Sequence, residues 1–145
     1  MKITFHLRTF LITALGCSLL FLAGSAFIKQ EDPGYIINHE KDIAVNEPGP
    51  HDGGGKTTAY PFFSKFKEAK VAFRKRVLQP GATIGYHLQE QQEIYYILSG
   101  KGELTTNGKT ITVSAGDAIL TLPGSHHGLK PVGNEGLSLI INYQN

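Results

Sequence analysis

From residue 57 onward, apolar and polar positions alternate in short runs, and the recurring period of two predicts strand after strand. The runs fall at 59–63, 71–78, 83–88, 94–98, 102–106, 109–113, 118–122, 127–132 and 137–143. Gly, Pro or Asn separates most of them, as expected where extended segments must turn. Asn107-Gly108 is the sharpest local signal. Two such residues between GELTT and KTITV specify a tight hairpin, because both central positions need positive φ. That turn sets Leu104 opposite Ile111. No segment here carries a long helical period, and residues 63–72 hold one helical turn at most. About nine short, evenly spaced strands predict an all-β sandwich or barrel.

The pattern before residue 57 is different. Lys2 and Arg8 precede an uncharged, strongly apolar stretch, and small residues follow at Ala23-Gly24-Ser25-Ala26. This is the layout of a signal peptide over 1–26, cleaved after Ala26. The alternatives are an uncleaved membrane anchor or lipidation at Cys17. Each outcome places the body outside the cytoplasm, periplasmic or secreted. Residues 27–58 read as a flexible, Gly/Pro-rich arm, with Pro33-Gly34, Pro48-Gly49-Pro50 and Gly53-Gly54-Gly55 as breakers. Short edge strands fit at 35–37 and 43–45. His51-Asp52 reads as a solvated turn, the other reading being a rim contact with a site or a partner subunit. The barrel itself spans 59–145. The edge strands around 35–45 and 59–63 invite pairing with a second copy, so a homodimer is expected.

Charge and cysteine narrow the classes. The whole chain carries 14 basic and 12 acidic residues. Loss of residues 1–26 leaves 12 of each and removes the single cysteine. A neutral body lacks the basic footprint of a nucleic-acid binder. A chain without cysteine has no disulfide, so a packed core must hold one domain of this size together.

Candidate chemistry gathers between residues 81 and 127. The order is Gly81-x5-His87-x-Gln89-x3-Glu93-x6-Gly100, then Gly116-Asp117-x6-Gly124-x2-His127. His87 and Gln89, two apart on a strand, leave the same face. Glu93 opens the next strand and His127 lies on a later one. Two imidazoles and a carboxylate suit a borderline divalent metal, with the Gln89 amide oxygen as a weaker donor. A dication balanced by one carboxylate stays positive and favours an anionic ligand or an ionised water. Tyr95 shares the parity of Glu93 and is a pocket candidate. Arg74 and Arg76 share one strand face, where a guanidinium can clamp a carboxylate or phosphate. Strand alternation turns His126 away from His127, toward the rim.

These two spaced motifs resemble those of the cupin superfamily. The first is similar at Gly81, His87, Gln89, Glu93 and Gly100, and the second at Gly116, Gly124 and His127. Gln89 stands where that motif has a second histidine, Leu122 where it has proline, and Pro131 where it has asparagine. The resemblance covers residues 71–143 and implies a small jelly-roll β-barrel. It also implies a bound Mn, Fe, Ni or Zn ion on the motif side chains. Some related sugar-phosphate isomerases use a glutamine ligand. Oxygenase, isomerase and lyase chemistry all occur on this fold. The expected function is thus an exported, metal-dependent domain acting on a small polar or anionic molecule. The alternatives are a non-catalytic ligand-binding module and a structural dimer with a vestigial, metal-free pocket.

Overall fold

The computed structural model describes residues 33–145. The expected signal peptide, its cleavage after Ala26 and Cys17 lie outside the described residues. A single helical turn, α1 (Glu40–Ile43), leads into ten strands: β1 (Val45–Pro48), β2 (Lys56–Phe62), β3 (Val71–Leu78), β4 (Ile84–Leu88), β5 (Glu93–Ser99), β6 (Lys101–Thr106), β7 (Lys109–Ser114), β8 (Ala118–Thr121), β9 (His126–Pro131) and β10 (Leu137–Gln144). They form a six-stranded sheet, β1-β2-β3-β10-β5-β8, and a four-stranded sheet, β4-β9-β6-β7. The fold is all-β, and the strand pairs given by their registers are antiparallel.

Alternation decides which side chains meet between the sheets. Along β5, Glu93, Tyr95 and Ile97 are buried while Ile94, Tyr96 and Leu98 are exposed. Of these, Tyr95 and Ile97 join Leu78, Ile84, Leu104, Leu129, Leu137, Leu139 and Ile141 in one core. Apolar area removed from water contributes roughly 25 cal/mol per Å², and this interior carries the fold without a crosslink. At the β6–β7 hairpin, Asn107 and Gly108 have φ of 45° and 78°, and Leu104 faces Ile111.

The segment expected as a flexible arm is, in its described part, built into the sheet. Val45–Pro48 pairs with Lys56–Ala59, and β2 pairs onward with β3. Residues 35–37 form no strand, although Tyr35, Ile36 and Ile37 are exposed. The strand expected at 43–45 is displaced: Ile43 ends α1, and the edge strand β1 runs Val45–Pro48. β2 lies inside, between β1 and β3.

An ion pair with a buried arginine and a partly exposed glutamate ties this segment down. Arg76 is 4% exposed and donates to the Glu47 carboxylate at 2.6 Å and to Thr57 Oγ1 at 2.8 Å. Thr57 Oγ1 donates in turn to the Glu47 carbonyl at 2.9 Å. Arg76 was a pocket candidate by strand parity. It is buried rather than at a solvated strand edge, but β1 and β2 take up its guanidinium and it does not line the pocket.

Candidate functional site

The two sheets present their buried polar side chains to each other at one end. His87 on β4 stands directly across from His127 on β9. Glu93 and Tyr95 on β5 face them from the six-stranded sheet. β4 carries one extra residue between Ile84 and His87 relative to β9, a bulge at Gly85-Tyr86. Bulges re-aim side chains, and this one matters for His87. Its Nδ1 lies 2.8 Å from the Gly85 carbonyl. A carbonyl only accepts, so Nδ1 carries a proton, and in the neutral ring Nε2 is the nitrogen left with a lone pair. That is the tautomer a metal needs, held by a backbone partner on the far nitrogen.

His127 is fully buried. Its Nε2 sits 3.3 Å from Glu93 Oε2 and 3.2 Å from the Tyr95 hydroxyl. Its ring meets those of His87 and Tyr95 edge-on, at 4.5 and 5.5 Å between centroids. One donor atom each from His87, Glu93 and His127 lies within 4.8 Å of the other two. Burial, then the negative charge of Glu93, holds the Tyr95 hydroxyl well above the usual phenol range. Tyr95 therefore keeps its proton and works as a hydrogen-bond donor.

Gln89 follows directly after β4. Backbone bonds in both directions hold it to the Pro123-Gly124 turn: Gln89 N donates to the Ser125 carbonyl and Gly124 N to the Gln89 carbonyl, each at 2.8 Å. These bonds join the two sequence motifs physically. The side-chain amide nitrogen of Gln89 donates to the Gln91 carbonyl at 2.8 Å. The amide oxygen is then the atom Gln89 has to offer the pocket.

His87, Gln89, Glu93 and Tyr95 line a cavity of about 420 Å³ together with Arg74, Glu90, Tyr143 and others, while the fully buried His127 does not line it; the volume is within the usual size range of small-molecule sites. Arg74 reaches over the Tyr143 ring at 5.6 Å, so a cation stands on the pocket wall. His126 is exposed, stacks on Tyr86 at 5.7 Å and is not among the lining residues. Tyr96 also faces outward.

One lining residue was read as a solvated turn in the sequence. His51 lies flat on His87, with centroids 3.5 Å apart and planes 4° from parallel. Its loop is fixed by Gly85 N donating to the Pro50 carbonyl at 2.9 Å, and by Gly53 N to Pro50 O and Gly49 N to Gly54 O, both at 3.1 Å. Thr83 Oγ1 also donates to the Gly53 carbonyl. A side chain on Gly49, Gly53 or Gly85 would run into opposing backbone. That explains why three glycines pack here. His51 and Asp52 have φ of 55° and 59°, a left-handed conformation costing a non-glycine residue roughly 1 kcal/mol or more. Burial and the neighbouring His87 lower the His51 pKa, so its imidazole is neutral at neutral pH. Only a mechanism-free signal, a His in a Gly/Pro-dense turn, marked it in the sequence.

The donor set fits a divalent ion. Two imidazoles and a carboxylate converge, and Glu93 Oε2 is buried without a hydrogen-bond donor. A buried anionic oxygen left so is costly unless something positive completes it.

Comparison with known proteins agrees with this geometry. A family model described as "Cupin domain" matches residues 75–142. An oxalate-binding protein of Thermotoga maritima is 39% identical over 115 residues, covering 77% of this chain and 94% of its own. The crystal structure of a predicted oxalate decarboxylase from Thermotoga maritima superposes with a TM-score of 0.67 at 29% identity, covering 74% of this chain and 96% of that one. A polyketide cyclase from Streptomyces resistomycificus shares the fold alone, with a TM-score of 0.62 at 23% identity over 74% of this chain and 78% of its own. The chain belongs to the cupin superfamily.

Proposed function

We propose that His87, Glu93 and His127, with the Gln89 amide oxygen, hold a divalent transition metal that captures oxalate or a similar small dicarboxylate. The observation that carries this reading is the convergence of two imidazoles and one buried carboxylate, with His87 and Glu93 opening onto a cavity, joined to the oxalate-binding relative. The metal, when bound, supplies a Lewis-acidic centre with open positions for carboxylate oxygens. The chain's own residues do the rest. With Glu93 as the one anionic donor, the loaded site keeps net positive charge and attracts an anion. Tyr95 stays protonated, and with the His127 Nε2 lone pair given to the metal its hydroxyl donates to Glu93. Arg74 adds a second positive group on the wall, placed to meet the far carboxylate.

Calorimetry tests this directly. Mn(II) is expected to bind one ion per chain, and oxalate to bind only the loaded protein. Oxalate should bind at least about tenfold more tightly than acetate, because its two carboxylates close a chelate. Metal uptake without any oxalate heat would sink the ligand assignment. Carbon dioxide release from the same sample separates turnover from capture.

We also propose export and dimerisation. Export is supported by the charge and hydropathy pattern over 1–26. Dimerisation is supported by the β1 edge and by an exposed apolar stripe of Ile94, Tyr96, Leu98 and Leu120 on the outer face of the six-stranded sheet. Light scattering on the protein recovered outside the cytoplasm should give twice the mass of a chain lacking residues 1–26. A full-length monomer would count against both.

A further inference from the structure

His51 has a position that a solvated turn does not explain. Three backbone hydrogen bonds and three close-packed glycines fix its loop in a left-handed conformation. The result is an imidazole laid flat on His87 at the cavity wall. Parallel planes matter here. A nitrogen lone pair lies in the plane of its ring, so two stacked rings send their lone pairs out side by side. They do not converge on one ion. His51 in this pose is therefore not a further metal donor beside His87. His51 and His87 line the same cavity, the space that an anion bound at the metal position would enter.

We propose that His51 is an anion-binding residue, donating an N–H hydrogen bond to the carboxylate held at the metal position. This rests on the reading of His87, Glu93 and His127 as a metal site that takes a small dicarboxylate. An imidazole has at least one N–H to give in either protonation state, and a bond to a carboxylate is charge-assisted. The cap loop thus completes the site from a segment outside both cupin motifs.

Two variants test it. His51→Phe keeps an aromatic ring on His87 and removes the donor. His51→Asn suits the left-handed backbone but is too short to stack or reach. Both are titrated with Mn(II), then with oxalate, malonate, acetate and sulfate on the loaded protein. Mn(II) affinity is expected to stay within about threefold of wild type. Oxalate affinity is expected to fall about tenfold or more. The asparagine variant decides the matter if the phenylalanine variant does not fold. Unchanged oxalate affinity in a folded variant overturns the proposal. Loss of Mn(II) binding overturns it too, by making His51 a metal donor. If the wild-type protein takes up Mn(II) but none of the four anions, the dicarboxylate reading and this proposal fall together. If it takes up no metal, the metal reading falls, and the same anion titration on the metal-free protein still decides for His51.

Discussion

Replacing His127 with alanine is expected to lower divalent-metal affinity by more than about a hundredfold, while His126→Ala leaves it unchanged. Loss of an outer partner of a ligand already costs 10- to 100-fold, and loss of a donor should cost more. The two residues are adjacent on β9, but one is fully buried against Glu93 and Tyr95 and the other is exposed on Tyr86. The contrast between neighbours removes composition and local strand propensity as explanations. Equilibrium dialysis with Mn(II), read by elemental analysis on protein without a histidine tag, measures both. A melting curve of each variant guards against simple unfolding, because His127→Ala also opens a cavity. Gln89→Ala belongs in the same series and is expected to weaken binding less, since an amide is a neutral donor. Equal binding by His127→Ala and wild type would show the ligand set to be wrong.

Glu47→Ala is expected to be the most destabilising single change outside the core, at about 2–4 kcal/mol. The size follows from what is left behind. Arg76 is buried, and without Glu47 its charge keeps only the neutral oxygen of Thr57. The value sits below that of a fully enclosed pair because the Glu47 side chain is 39% exposed. The reverse truncation should be mild. Arg76→Met leaves Glu47 able to meet water and fills the space with an apolar chain, for a cost within about 1 kcal/mol. Urea unfolding of the two variants checks the asymmetry. Equal costs would mean that the pair is not buried as described.

That experiment also probes the part of the fold the sequence conveyed least. Strand parity was legible because period two is a local property. In EIYYILS it sorts Glu93 and Tyr95 inward and Ile94 and Tyr96 outward from the chain alone. The Asn107-Gly108 turn was legible for the same reason, since positive φ at both positions has few solutions. Residues 33–58 were not legible in this way. β1 is four residues long, ends in Pro48, and gains its identity from pairing with β2 across a glycine-dense loop. Glu47 finds Arg76 across 29 positions of chain, and no window of sequence contains both. His51 meets His87 across a similar gap, through a left-handed backbone that strand or helix periodicity does not describe. Arg76 illustrates the converse. The strand face it shares with Arg74 was readable, but its burial and its partner Glu47 were not, so it stood as a pocket candidate or a solvated strand edge rather than as a buried ion-pair partner. The motif residues were legible as chemistry because spacing brought them to one end of the sheets. The cap that covers them came from packing between distant segments.

The central claim is that His87, Glu93 and His127 hold a metal that takes a small dicarboxylate. An anomalous difference map from crystals grown with Mn(II) and oxalate tests it most directly. The account predicts one strong peak per chain, within direct bonding distance of the imidazole nitrogens of His87 and His127 and of a Glu93 oxygen, with oxalate density beside it under His51. A map without a peak there, or with the manganese held elsewhere on the surface, would contradict it.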